Sequence, residues 1–302
     1  MPSINQGTHA RPVVFGEVLF DCFADGSRVL GGAPFNVAWH LKGFGLNPLF
    51  ISRVGQDAEG ELVIAKMIEW GMDTRGIQLD SRYPTGRVEV TIENGEPAYN
   101  IVDDQAYDFI NATLANSLVR DHDCSLLYYG TLATRQRTSR EALQQIRNKD
   151  LASFVDINLR EPWWDNLMVS DAVRHADFVK LNQHELAELL NTTDVSHENI
   201  QQKSNTFMQR YEVKQLVVTF GEQGACFIGH DNQRCAKPSA TSRVIDTVGA
   251  GDAFSAASIY GLIKGWQTEK ILRRALDFAV LVCRQQGATS TNRQMYENFI
   301  KA

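Results

Sequence analysis

The chain has 302 residues, 43% of them hydrophobic and 22% charged, which is ordinary for a soluble globular protein with a large core. Its formal net charge is −6 and it has no lysine- or arginine-rich tract, which argues against nucleic acid or an anionic membrane as a main partner. Five cysteines lie far apart (22, 124, 226, 235 and 283) without a Cys-x-x-Cys, so neither a disulfide framework nor a zinc site is expected, and a reducing cytoplasm fits.

The first twelve residues are polar, with no apolar core of signal-peptide length, and read as a frayed lead-in to the first strand. No run approaches the roughly 18 apolar residues of a membrane span. Short apolar runs at 13–18, 49–52, 126–129, 154–157, 178–181 and 216–220 predict strands. Amphipathic stretches at 59–70, 137–149, 199–211 and 269–284 predict helices between and after them. This alternation predicts an α/β fold, doubly wound, with a mostly parallel sheet covered by helices on both faces.

Residues 87–93 alternate polar and apolar, Asn94-Gly95 is a hairpin signal, and 97–102 can return as a strand. With 19–30, this hairpin predicts a small sheet that either projects as a lid or decorates the main sheet's edge. No linker divides the chain, so one domain over 1–302 is expected, with lid segments at about 19–30 and 84–108.

Polar residues gather where the apolar runs end: Asp156 and Asn158, Asn182 and Glu185, Thr219 and Gly221. Ligands of open parallel sheets bind beyond the carboxyl ends of the strands, so these segments can converge on one cleft. Each is equally a plain turn or cap when taken alone.

Asp246-Thr-Val-Gly-Ala-Gly-Asp252 followed by Ala-Phe-Ser-Ala-Ala is a glycine-rich turn opening a helix. Gly249 and Gly251 permit a tight turn, and the backbone N–H groups gathered there form an anion site at the positive end of the helix dipole. A carboxylate at Asp252 would repel a resting phosphate, so it makes sense as the acceptor of a proton from an attacking hydroxyl. A helix start capped by Asp246 or Thr247 is the plainer alternative. Walker spacing is absent, as is the third glycine of the dinucleotide fingerprint, which disfavours a P-loop ATPase or a nicotinamide enzyme.

Gly31-Gly-Ala-Pro-Phe-Asn36-Val-Ala together with 246–252 resembles the two signature regions of the ribokinase-like (PfkB) sugar kinases, and most closely their fructokinase-like members. Further matches occur in family order: Gly16-Glu-Val-Leu-Phe-Asp21, Asp156-Ile-Asn-Leu-Arg160, Asn182-Gln-His-Glu185 and Thr219-Phe-Gly-Glu-Gln-Gly224-Ala.

The resemblance implies a ribokinase-like fold with a β-lid, ATP as donor, magnesium, and a cytoplasmic sugar kinase. Asp252 takes the place of the catalytic base, and Gly249, Ala250 and Gly251 that of the anion hole. Asp21, Gly31, Gly32 and Asn36 fall on sugar-binding positions, with Asp156, Asn158 and Arg160 beside them. Arg160 can serve sugar oxygens, the transferring phosphate, or an ion pair with Asp156. Asn182 and Glu185 match the element that organises magnesium through water, and Thr219, Gly221 and Gly224 match a nucleotide-side loop. The resemblance also allows potassium at Asp246 and a homodimer through the lid.

Related kinases of 2-keto-3-deoxygluconate carry a Tyr-x-x-Arg-like element in the second lid segment. This chain has Tyr99-Asn-Ile-Val-Asp103-Asp104, with no arginine. The segment 287–292 also lacks the proline that often closes the family's adenine loop. The expected activity is phosphorylation of a small neutral sugar, fructose foremost. Alternatives are a ketodeoxygluconate kinase, a nucleoside kinase using Phe20, Phe23 and Phe35 as an aromatic platform, a non-catalytic sugar-binding regulator, or a dehydrogenase with a degenerate fingerprint.

Overall fold

Alternation along the first strand sets the layering: Val13 and Phe15 face one hydrophobic cluster and Val14 the other, all fully buried. The computed structural model describes residues 4, 10–93, 96–147, 151–230, 232–239 and 244–301. The Asn94-Gly95 turn, most of the lead-in, and the end of the helix expected to reach 149 lie outside them.

In chain order the elements are β1 (Arg11–Phe15), β2 (Leu19–Phe23), β3 (Arg28–Gly31), α1 (Ala33–Gly43), β4 (Leu49–Gly55), α2 (Ala58–Trp70), β5 (Ile77–Asp80), β6 (Gly86–Glu93) and β7 (Glu96–Ile101). They continue with α3 (Ala112–Arg120), β8 (Cys124–Gly130), α4 (Arg137–Arg147), β9 (Ala152–Asp156), α5 (Asn166–Val173), β10 (Phe178–Asn182), α6 (Gln183–Leu190) and α7 (Ile200–Tyr211). The last are β11 (Gln215–Thr219), β12 (Ala225–Ile228), β13 (Gln233–Ala236), α8 (Ala250–Ile263), α9 (Thr268–Val282) and α10 (Arg293–Lys301).

Among the described residues, nine strands form the main sheet in the order β13-β12-β11-β10-β9-β8-β1-β4-β5. The pairs from β11 through β5 are parallel; β12 and β13 close one edge antiparallel. From β1 the chain builds to β4 and β5 on one side, then crosses to β8 and beyond on the other. The carboxyl end of β1 is therefore a topological switch point, where an open α/β sheet splays to form a crevice. The first strand stops at Phe15 rather than reaching 18, because 16–18 turn away into β2.

A second sheet has the order β3-β2-β6-β7, with β2 and β6 parallel and the outer pairs antiparallel. It combines the two segments expected to form a lid. Its return strand is tied down where Arg135, after β8, donates to the Val102 carbonyl at 2.7 Å and to both oxygens of Asp108 at 2.8 and 2.7 Å.

Helix α8 packs against α1 and α9, and every residue from Ala253 to Ile263 is buried. Its alanines and serines allow close approach on all sides, so it has no polar face. Among the described residues no helix is long and apolar enough to cross a membrane.

Candidate active site

Helix α8 begins at Gly249, whose φ of +78° puts it in the left-handed region. A Cβ there would also lie 2.4 Å from the Ala288 Cβ, so glycine is required both by conformation and by close packing. No side chain caps this terminus, which excludes the plain capped start at Asp246 or Thr247. The Ala250 N–H turns back to the Thr247 carbonyl at 3.2 Å, and the first helical bond is from Ala253 N to Gly249 O. Helix geometry leaves the N–H groups of Gly251 and Asp252 without an intrahelical acceptor at the dipole's positive end.

Asp252 lies in this first turn. Its Oδ2 accepts a 2.8 Å hydrogen bond from Nδ2 of Asn36, which α1 presents from the opposite end of the chain. Burial raises its pKa to about 6; Asp156 adds to the rise, while Asn36, Lys180 and Arg160 oppose it. A carboxyl poised there accepts a proton readily near neutral pH.

Around this pair stand Asp21 on β2, Gly31 at the end of β3, Gly32 just before α1, and Glu17 at the switch point. Asp21 is half-buried, and a Cβ on Gly31 would lie 3.8 Å from its Oδ2. Burial raises the Asp21 pKa, and the charge of Arg160 opposes the rise. Arg160 also acts on Glu17 and Asp252, so one exposed guanidinium faces three carboxyl groups. Asn158 adopts a left-handed φ of +46°, which asparagine tolerates.

The sheet register lines up the remaining positions. Asp156 is level with Gly130 on one side and Lys180 on the other, and Asn182 is level with Thr219. Asp156 is 1% exposed and fully engaged: Lys180 Nζ donates to its two oxygens at 3.0 and 2.9 Å, and Ser255 Oγ donates to Oδ2 at 2.8 Å. The Asp156 ion pair considered for Arg160 is thus made by Lys180.

Asn182 caps α6 by accepting from the N–H groups of His184 and Glu185, each at 2.9 Å. Glu185 reaches back to Asn182 N at 2.7 Å and across to Leu159 N at 2.9 Å, fixing the 156–160 segment. Each Glu185 oxygen accepts one backbone N–H and keeps further acceptor capacity, so the residue fits a water-mediated magnesium contact. Gly221 starts a 3₁₀ turn after Thr219, and Gly224 ends it. Asp246 accepts from Val248 N at 3.0 Å and Gly287 N at 2.9 Å, clamping two loops together.

Several residues escaped the sequence reading. Lys180 was visible as a charge inside an apolar strand, and Glu17 as an acid inside a matched motif. The cysteine expectation is corrected: Cys226 and Cys235, directly paired across β12 and β13, form a disulfide. The cross-strand register that brings them together depends on a sheet edge that spacing alone does not reveal. His197 lies beside them, but sulfurs bonded to each other are not thiolate ligands. The aromatic platform is also corrected. Phe20 and Phe35 are 2% and 1% exposed and belong to the core, Phe35 packing edge-on to Phe50, while Phe23 is exposed. A concavity of about 280 Å³ between α9 and α10 contains none of the predicted site residues.

The model of the pfkB family carbohydrate kinases matches residues 17–295. An uncharacterized sugar kinase of Pyrococcus horikoshii, PH1459, is 31% identical over 281 residues, covering 87% of this chain and 84% of its own length. Its ATP-bound crystal structure superposes with a TM-score of 0.77 at 26% identity, covering 92% of this chain and 93% of that one. Escherichia coli fructokinase is 29% identical over 289 residues, covering 89% and 91%. A 2-dehydro-3-deoxygluconokinase of Thermotoga maritima shares the fold at a TM-score of 0.82 with 17% identity, covering 97% of this chain and all of that one.

Proposed function

Because this chain belongs to the pfkB family of carbohydrate kinases, we propose that it transfers the γ-phosphoryl group of ATP to a hydroxyl of a small neutral sugar, with fructose as leading substrate. The observation that carries this reading is the Asn36–Asp252 hydrogen bond beside an uncapped glycine turn. It joins a proton acceptor, an orienting amide and an anion site within one crevice.

In this mechanism the sugar lies among Asp21, Gly31, Gly32, Asn36, Asn158 and Arg160, while Asp156 holds the floor through Lys180 and Ser255. Asp252 accepts the proton of the attacking hydroxyl, and Asn36 fixes the carboxylate's direction. Backbone N–H groups at Gly249, Gly251 and Asp252, with the α8 dipole, favour the charge that builds on the phosphoryl oxygens, while the Ala250 N–H expected to join them is engaged by the Thr247 carbonyl. Thr219, Gly221 and Gly224 serve the nucleotide side. Asn182 and Glu185 would hold magnesium through water; when bound, the metal neutralises phosphate charge. Asp246 is where a monovalent cation such as potassium would sit. Closure of the second sheet keeps out water that would compete with the sugar. A homodimer through that sheet is compatible with the proposal.

The neutral-sugar preference draws on 99–104 of the second lid segment, where Asp103 and Asp104 stand and no arginine is present to pair a substrate carboxylate. The similarity to fructokinase supports it as well. An ADP-release assay over fructose, other neutral sugars, 2-dehydro-3-deoxygluconate and nucleosides tests the proposal, with Asp252→Asn as control. Fructose is expected to turn over far faster than the acid, and Asp252→Asn to lose about 10²–10⁴-fold while still binding ATP. Preference for the acid in the wild type, abolished by Arg160→Ala, would replace the fructokinase reading with the ketodeoxygluconate one.

A further inference from the structure

We propose that Lys180 is a positioning residue for phosphoryl transfer, its ammonium held beneath the glycine turn so that Asp252 stays ionised and ready to accept the sugar's proton. The role rests on the kinase reading above.

Lysine is seldom fully buried, yet Lys180 is only 7% exposed in a strand whose other residues build the core. The ammonium has three N–H donors. Asp156 accepts from it at 3.0 and 2.9 Å, and Ser255, in the second turn of α8, anchors that same carboxylate. The lysine is thereby fixed relative to β9, β10 and α8 together. A Cβ on Gly251 would lie 3.0 Å from Nζ, so the ammonium packs against the backbone of the turn itself. Glycine at 251 makes room for the charge.

The groups facing Asp252 come from every side. Asn36 reaches it from α1, Asp156 from β9, Lys180 from β10, Arg160 from the loop after β9, and Glu17 from the turn after β1. Asp156 and Glu17 are acidic and disfavour a second negative charge. Arg160 is exposed, so solvent and salt screen it, whereas Lys180 is buried and screened far less. Burial works against the lysine's own charge, but Asp156, Glu185 and Asp252 hold its pKa above the usual value. Paired with Asp156 and packed against the Gly251 backbone, Lys180 is thus a buried cation beside the turn that carries Asp252.

The test compares wild type, Lys180→Arg, Lys180→Met and the double variant Lys180→Met/Asp156→Asn, which leaves no unpaired buried charge if the single methionine variant does not fold. Two readouts are taken: the pH profile of kcat/KM from ADP release, and titration of the Asp252 carboxyl by NMR on 13C-aspartate-labelled protein, assigned with Asp252→Asn. Lys180→Met is expected to move the acid limb and the carboxyl titration upward by about one pH unit or more, with kcat/KM down at least about threefold at pH 6.5 and largely recovered at pH 8.5. Lys180→Arg should keep the wild-type limb. In the double variant the limb should return toward wild type, because the like charge of Asp156 is removed with the lysine.

An equal loss of turnover at every pH, with the Asp252 titration unmoved, would make Lys180 a scaffold residue and overturn the proposal. So would a double variant whose Asp252 titration is shifted as far as in Lys180→Met. A wild type that releases no ADP with any sugar would overturn the kinase reading instead, and the carboxyl titration would still decide whether Lys180 keeps Asp252 ionised.

Discussion

Asn36 and Asp252, 216 residues apart in sequence, meet at 2.8 Å, and this bond joins α1 to the glycine turn. Because Asn36 donates to the carboxylate, it favours the ionised form. Asn36→Ala is expected to raise the sugar KM well above any change in the ATP KM, at a cost of about 1–3 kcal/mol. It should also shift the acid limb of kcat/KM upward from the wild-type position near pH 6. Steady-state kinetics between pH 5 and 9 measure both; equal KM changes for sugar and ATP with an unmoved limb would assign Asn36 to the scaffold.

Glu17 is 3% exposed, and burial raises its pKa from 4.5 to about 7, with Asp252 adding to the rise and Arg160 and Arg135 opposing it. The folded state binds this proton more tightly than the unfolded chain, so Glu17 lowers stability as pH rises from about 4.5 to about 7, with no further change above. Glu17→Gln should therefore be more stable than wild type at pH 8, by roughly 3 kcal/mol at most, and nearly equal to it at pH 4.5. Asp252 leaves the variant a residual slope of the same sign below about pH 6. Denaturant melts at the two pH values check this; a variant less stable at pH 8 would contradict it.

The mostly parallel sheet and the gathering of polar residues at its strand ends were legible because β8, β9, β10 and β11 are apolar runs ending in Asp, Asn, Thr or Gly; the strand order was not. The uncapped glycine turn that opens α8 was legible from two glycines and an acid. Lys180 was not, since its meaning depends on Asp156 lying level with it in the next strand and on α8 crossing above, and neither is a local property. The disulfide was hidden for the same reason. Helix α8 carries no periodic signal, because burial on all sides erases the stripe that marks a surface helix.

Arg135 and Asp108 form a buried ion pair, 3% and 0% exposed, at the root of the second sheet. Arg135 also stacks on Trp163, 4.3 Å from the ring centre. Arg135→Ala strands a buried carboxylate and is expected to destabilise the fold by about 3–5 kcal/mol. Arg135→Met/Asp108→Leu should recover most of that loss in a thermal melt, since both charges then go. If the double variant is no more stable than the single, the loss comes from the Val102 and Trp163 contacts instead.

The disulfide between Cys226 and Cys235 closes a loop of sequence separation 9. Cys226→Ser/Cys235→Ser should lower stability by about 2–3 kcal/mol, and a dithiol reductant should do the same to the wild type. Under denaturing, non-reducing conditions only the thiols of Cys22, Cys124 and Cys283 should react. Five reactive thiols per chain would mean that the bond does not form.

The burial of α8 has a consequence for how the chain is made. Phe35, Val37, Ala38 and Leu41 of α1 share one core cluster with α8 and α9. During synthesis α1 emerges more than 200 residues ahead of α8, at ribosomal rates on the order of ten seconds or more. Through that interval the face of α1 that will meet α8, and the part of the sheet that α1 and α2 leave open, lack their final cover. The molecule must keep that surface from sticking to others, and an element that shields it is the one that delivers Asp252, the carboxylate proposed to take the sugar's proton. A polypeptide released before α8 therefore lacks both this cover and Asp252, and is exposed to aggregation and proteolysis.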